Sequence, residues 1–172
     1  MKNVFLIDMF VRYFVVFIVG LGDLFLLTLF LSPATVGVVY WILKMFGEVI
    51  FESGVFYFNG FDFEIIGACI ATSAYYLLFL LVMITQKIEL KKRLLMLGCG
   101  FLSLFLLNVS RILIMISLYW SSVFADVHWW LWHIFSIIFV VGIWFLMVKI
   151  FRIKSTPFWD DFQSILELKR IN

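Results

Sequence analysis

Residues 94–120 read LLMLGCGFLSLFLLNVSRILIMISLYW, an apolar run whose centre carries two strongly polar side chains, Asn108 and Arg111. A helix needs about 20 mostly apolar residues to cross the hydrocarbon core of a bilayer. The run therefore predicts a membrane-spanning helix over 94–120. The same criterion finds three more. One covers 13–31 and ends at Ser32-Pro33, a second covers 68–85 and is closed by the polar run from Gln86 to Arg93, and a third covers 129–151. Trp120, Trp129 and Trp130 bracket one interface, as an aromatic belt does.

The whole chain agrees with this reading. Of its 172 residues 65% are hydrophobic and only 14% charged. A soluble domain is about half apolar and about a quarter charged, so most of this surface must face lipid. A net charge of +2 without a basic aromatic patch argues against nucleic acid as a partner. The expected fold is an all-α integral membrane protein, one domain over 1–172. The first apolar run is too long for the core of a signal peptide and precedes no small-residue cleavage site, so it is expected to be retained.

Charge sets the expected orientation. The loop 87–93 carries Lys87, Lys91, Lys92 and Arg93, the segment after the last helix carries Lys149, Arg152 and Lys154, and the N-terminus carries Lys2 and Arg12. The connection 121–128 has no Lys or Arg. Basic loops stay in the cytoplasm, which places both termini and 87–93 inside and 33–67 and 121–128 outside. Within 33–67, Val36 to Ile50 is short and contains Lys44, Gly47 and Glu48, so an amphipathic outer helix is expected there. Two β-prone runs, Val55–Phe58 and Phe61–Ile65, flank Asn59-Gly60, a strong hairpin signal. The hairpin should lead directly to Cys69. In the cytoplasmic tail 152–172, Phe158, Phe162, Ile165 and Leu166 have helical spacing. An interfacial helix and a disordered tail are both compatible with that.

Ionisable groups within membrane helices usually mark function or a buried partner. Asp23, Arg111, His133 and, nearer the interface, His128 qualify. Cys69 joins them at a helix start, where the dipole favours a thiolate. Cys99 falls at the opposite face, too distant to pair with Cys69, and reads as packing. Arg111 cannot shed its charge, so it must snorkel, line a wet cavity or meet a partner; a purely structural arginine is the alternative. Asn108 lies one turn away on the same face, and Ser136 stands at i+3 from His133. Cys69, Arg111 and His133 come from three helices and all fall in the outer half. A thiol, a base and a fixed cation are the minimum for acyl transfer.

At these residues the chain resembles the exosortase/archaeosortase family, in a short archaeal-type form. Gly67-Ala68-Cys69-Ile70-Ala71-Thr72-Ser73-Ala74-Tyr75-Tyr76-Leu77-Leu78 looks like its cysteine block, Asn108-Val109-Ser110-Arg111-Ile112 like its Asn-x-x-Arg-Ile block, and His133-Ile134-Phe135-Ser136 like the block with its third polar residue. One departure is Ala71, which stands where the family's Cys-x-Gly pattern has glycine. The resemblance implies a membrane cysteine transpeptidase with Cys69, Arg111 and His133 catalytic and Asn108, Ser73 and Ser136 near substrate. It implies a client with a C-terminal sorting signal, cut at the outer face of the cell membrane and transferred to an acceptor, with membrane lipid as a further partner. No cofactor or metal is implied. His128 competes with His133 for the base. The alternative is a non-enzymatic assembly or scaffold protein in which Arg111 and Asp23 act as polar glue; a small transporter is disfavoured by the lack of a repeat.

Overall fold

The structure, a computed structural model, describes residues 2–22, 24–153, 155, 157 and 159–170. The chain runs α1 (Lys2–Gly20), α2 (Phe25–Lys44), β1 (Val49–Glu52), β2 (Val55–Phe58), β3 (Phe61–Glu64), α3 (Gly67–Ile70), α4 (Thr72–Ile84), α5 (Leu90–Ser117), α6 (Phe124–Trp130), a π-helical turn over Leu131–Phe135, α7 (Ser136–Ile150) and α8 (Trp159–Arg170). Among the described residues, Phe25–Lys44, Gly67–Ile84 and Leu90–Ser117 are each long and apolar enough to cross a membrane. The bent pair Phe124–Ile134 and Ile137–Ile150, at 44°, makes a fourth when counted as one span. Phe30, Leu102 and Phe145 point outward on these helices, as lipid-facing residues do.

The N-terminal third departs from the sequence expectation. The first helix does not end at Pro33; Pro33 lies inside α2, which continues to Lys44. Proline is tolerated in membrane helices because neighbours and local adjustments satisfy the freed backbone. The break lies earlier, between α1 and α2, where Gly22 and Leu24 have positive φ (68° and 59°); Asp23 itself lies outside the described residues. The stretch Val36–Ile50, expected as a separate outer helix, is the end of α2 and the start of β1.

The Asn59-Gly60 hairpin forms as expected, with Phe58 opposite Phe61. Asn59 and Gly60 have φ of 48° and 84°, the two left-handed residues a type I′ turn needs. A second turn of the same kind at Ser53-Gly54 (φ 52° and 89°) adds β1, so the unit is a three-stranded antiparallel sheet, β1-β2-β3. One face packs on the bundle. Phe56 and Phe58 are buried with Val39 and Leu43 of α2 and Val109 and Ile112 of α5, and Phe61, Phe63 and Cys69 lie against that cluster. Phe61 also stacks on Tyr119, centroids 4.6 Å apart.

Below the sheet, α4, α5 and α7 share a second core of Tyr75, Leu78, Val82, Met96, Leu104, Val140 and Met147. Gly100 permits a close α4–α5 approach: a β-carbon there would stand 2.8 Å from Leu78 Cδ2, the small-residue contact typical of membrane helix pairs. Helix α1 lies antiparallel to α4, with Tyr76 Oη donating to Val16 O at 3.1 Å and Arg12 Nη1 to Ile84 O at 2.9 Å.

The end of the bundle remote from the sheet is closed by a buried polar cluster. Arg12, 2% exposed, donates through Nη2 to Asp161 Oδ1 at 2.8 Å and through Nε to Asp8 at 2.9 Å. Tyr13 Oη donates to Asp161 at 3.1 Å, the Gln86 amide donates to the same carboxylate, and Arg93 donates to Thr85 O at 3.0 Å. This cluster holds α8 to the bundle. Trp159, Phe162 and Leu166 stay exposed on its far face, in the spacing expected of an interfacial helix; Phe158 and the Ile165 side chain lie outside the described residues.

Candidate active site

The cysteine sits on a one-turn helix cut off from the helix that follows. Ala71 has φ 57° and ψ 38°, the left-handed conformation, between α3 and α4. A left-handed residue interrupts the i→i+4 ladder, so carbonyls just before it need other donors. Helix α5 supplies them. Asn108 Nδ2 donates to Cys69 O at 2.9 Å and lies 3.4 Å from Ile70 O. Arg111 Nη2 donates to Cys69 O at 3.4 Å. Asn108 and Arg111 stand three residues apart and thus on one helix face, which is why one helix can hold one turn with two side chains. Cys69 N donates in turn to Ile66 O at 2.8 Å, and its thiol is free and half-buried.

Beside this turn lies a mostly apolar cavity of about 170 Å³. Its polar lining includes Cys69, Arg111, His128 and Glu64; Phe61 of the sheet and Trp132 are among the aromatic walls. The Arg111 guanidinium stands 5.6 Å from the Trp132 ring centroid, a cation–π distance. His128 stacks on Phe124, centroids 6.0 Å apart and planes 8° from parallel. Its ring centroid is 6.2 Å from that of Trp132. The cavity therefore gathers a thiol, a fixed cation, an imidazole and a carboxylate from four separate elements.

Cys69, Arg111 and Asn108 come together, but Asn108 faces the cysteine turn's backbone and does not line the cavity. His133 does not line it either. It lies in the π-helical turn, stacks on Trp129 at 4.9 Å and keeps Nδ1 3.0 Å from Trp129 O. His128 belongs to α6 and His133 to the π-helical turn that follows, and their rings stack on different residues, Phe124 and Trp129. Ser73 is exposed on the first turn of α4 and lines no part of the cavity. The Ser136 side chain lies outside the described residues. Glu64 and Trp132 escape a sequence reading; Glu64 reads there only as the polar position of an alternating strand. Among the described residues no cluster of three His, Cys, Asp or Glu gathers as a metal site.

Against known proteins, a family model described as transmembrane exosortase (Exosortase_EpsH) matches residues 5–149. No curated protein matches the chain, and no solved structure does.

Proposed function

Because the chain belongs to the transmembrane exosortase family, whose members have a membrane transpeptidase-type role, we propose that it cleaves a C-terminal sorting signal from a client membrane protein at the outer face and transfers the client to an acceptor. The observation that carries this reading is the double hold of α5 on the cysteine: Asn108 and Arg111 both donate to the Cys69 carbonyl, and Cys69 and Arg111 share a cavity with His128.

In the proposed reaction His128 takes the Cys69 thiol proton and the thiolate sulfur attacks the scissile carbonyl carbon. Arg111 faces the negative charge that develops on sulfur and then on oxygen. The C–N bond breaks, the leaving amine takes the proton from His128, and the client remains as a thioester. An acceptor amine or water attacks that thioester, passing its proton to His128, and the thiol is regenerated. His128 replaces His133 in this scheme because it shares the cavity with the nucleophile, and geometry precedes any other requirement for a base. Apolar walls suit a client segment arriving laterally from the bilayer.

The scaffold reading draws on the same Arg111 bond, since a structural arginine also donates to backbone carbonyls. Membranes holding the protein and a candidate client separate the two. The wild-type chain should release the client's C-terminal helix and accumulate a thioester that hydroxylamine cleaves. Cys69→Ala should do neither. Equal client processing by Cys69→Ala would end the cysteine mechanism.

A further inference from the structure

The three-stranded sheet has two edges, and one of them borders the cavity. Its strand order is β1-β2-β3, so β3 is paired on one side only. Phe61, Phe63 and Glu64 of β3, with Ile65 just beyond, line the cavity that holds Cys69, Arg111 and His128, and no residue of β1 does. Cys69 follows Glu64 by five positions.

The hairpin fixes which backbone groups of β3 are spare. Asn59-Gly60 is a two-residue loop, so Phe58 and Phe61 on either side of it form a hydrogen-bonded pair. Such pairs alternate with non-bonded ones along an antiparallel ladder. Phe56 lies opposite Phe63, Tyr57 opposite Asp62 and Val55 opposite Glu64. Phe61 and Phe63 therefore turn N–H and C=O towards β2, whereas Asp62 and Glu64 turn theirs to the open side. No turn or loop hydrogen bond among the described residues takes up these outward groups, and the one element in extensive backbone contact with β3 is β2. Two N–H and two C=O groups thus stand in a row beside the cavity, as in an edge that accepts an added strand.

Side chains decide which strand. Phe61 and Phe63 pack inward against the apolar cluster under the sheet, and the alternating Asp62 and Glu64 are exposed. In a fourth strand, the residues opposite these two carboxylates lie on the same face and close enough to interact. The residues between them point inward beside Phe61 and Phe63. The edge therefore suits an extended segment of alternating basic and apolar residues. A second copy of this chain, pairing β3 with β3, would set carboxylate against carboxylate, which is destabilising.

We propose that the free edge of β3 binds the client as a fourth, antiparallel strand, formed by an extended segment with Lys or Arg opposite Asp62 and Glu64. A strand so added lies about 4.8 Å from β3, which brings its backbone alongside the cavity of the thiol. That the segment belongs to a client rests on the transpeptidase reading; that the edge takes a cationic strand does not.

Capture by Cys69 tests the edge without a client and without catalysis. In a Cys99→Ser chain Cys69 is the sole thiol. The probe is the capped peptide Lys-Val-Lys-Cys-Lys-Val-Lys with its cysteine as the 2-pyridyl disulfide. The Cys69 thiolate attacks the peptide sulfur, a mixed disulfide forms, and pyridine-2-thione leaves and is read by absorbance. Rates are taken relative to the 2-pyridyl disulfide of N-acetylcysteine, which reports the reactivity of the thiol itself. N-methylation of the two central lysines removes N–H groups that face Asp62 and Glu64. It should slow relative capture by about fivefold or more, the weight of one net hydrogen bond. N-methylation of the two valines, whose N–H groups face away, should slow it far less. Glutamate in place of the lysines should slow capture as well. Glu64→Pro removes one outward N–H where an edge strand tolerates proline, and should reproduce the loss. Equal sensitivity to the two methylation patterns would overturn the strand pairing, and a chain dimer lost on Glu64→Pro would give the edge to a second copy instead. If Glu64→Pro fails to fold, the methylated peptides on the unaltered edge decide. Client processing by Cys69→Ala would end the transpeptidase reading and leave capture at the edge measurable.

Discussion

The side-chain amide of Asn108 lies 2.9 Å from the carbonyl oxygen of Cys69, a residue 39 positions earlier in the chain. The contact joins the middle of α5 to the only turn of α3. It converts a cut helix end, which in lipid would be costly, into a fixed platform for the thiol.

Replacing Asn108 by Leu keeps the bulk and removes the donor. The Cys69 and Ile70 carbonyls then lose it, and stability should fall by about 1–3 kcal/mol. Thermal unfolding in detergent measures this. Client processing should fall with it, and a variant with wild-type stability and activity would show that the contact is incidental.

Ala71→Gly should be at least neutral. A left-handed alanine is strained by about 1 kcal/mol relative to glycine, which roughly offsets the entropy glycine loses on folding. Ala71→Val should instead destabilise by about 1–3 kcal/mol, since a β-branched residue tolerates that conformation poorly. Comparing the two melting temperatures checks the backbone assignment directly. Equal losses for both would refute it.

The two histidines can be told apart by activity. His128→Ala should slow client processing by about 10²-fold or more, the usual weight of a positioned acid–base group. His133→Ala should retain most activity. The reverse order would restore His133 as the base and move the reacting atoms out of the described cavity.

At the opposite end, Asp161→Leu should leave the buried Arg12 without its buried counterion, facing only the largely exposed Asp8. Breaking one side of such a pair costs about 3–5 kcal/mol, whereas replacing both partners by apolar residues is often neutral. Thermal unfolding of Asp161→Leu and of the double variant with Arg12→Leu should show a large loss and a substantial recovery.

Orientation is tested at Lys91, which is exposed. In a chain whose own cysteines are replaced, Lys91→Cys should resist a membrane-impermeant maleimide in intact cells and react after permeabilisation. Labelling from outside would invert the proposed topology.

Much of this was legible before folding. Apolar length identified an integral membrane protein with several spans, the Asn59-Gly60 pair marked the hairpin, and the Asn-x-x-Arg spacing put Asn108 and Arg111 on one face. What escaped the sequence depends on surroundings. Pro33 reads as a stop because propensities are learned in water, yet the helix runs through it and the break lies earlier, between α1 and α2. The choice between His128 and His133 turns on a bend and a π turn that no periodicity reports. Arg12 reads as an ordinary cytoplasmic charge, because its partner Asp161 is 149 residues away. Tyr75 reads as one more apolar-face residue, and only the packed helix shows that its hydroxyl is enclosed.

The pairing of Arg12 with Asp161 also has a temporal meaning. Synthesis delivers Arg12 149 residues before Asp161. Until then the guanidinium has only Asp8, on its own helix and largely exposed, to balance it. The end of the bundle remote from the sheet therefore cannot close before Asp161 has been made. Closure of that end waits for α8, and a chain stopped before residue 159 should be left unsealed there and protease-sensitive although α1 to α7 have already been made.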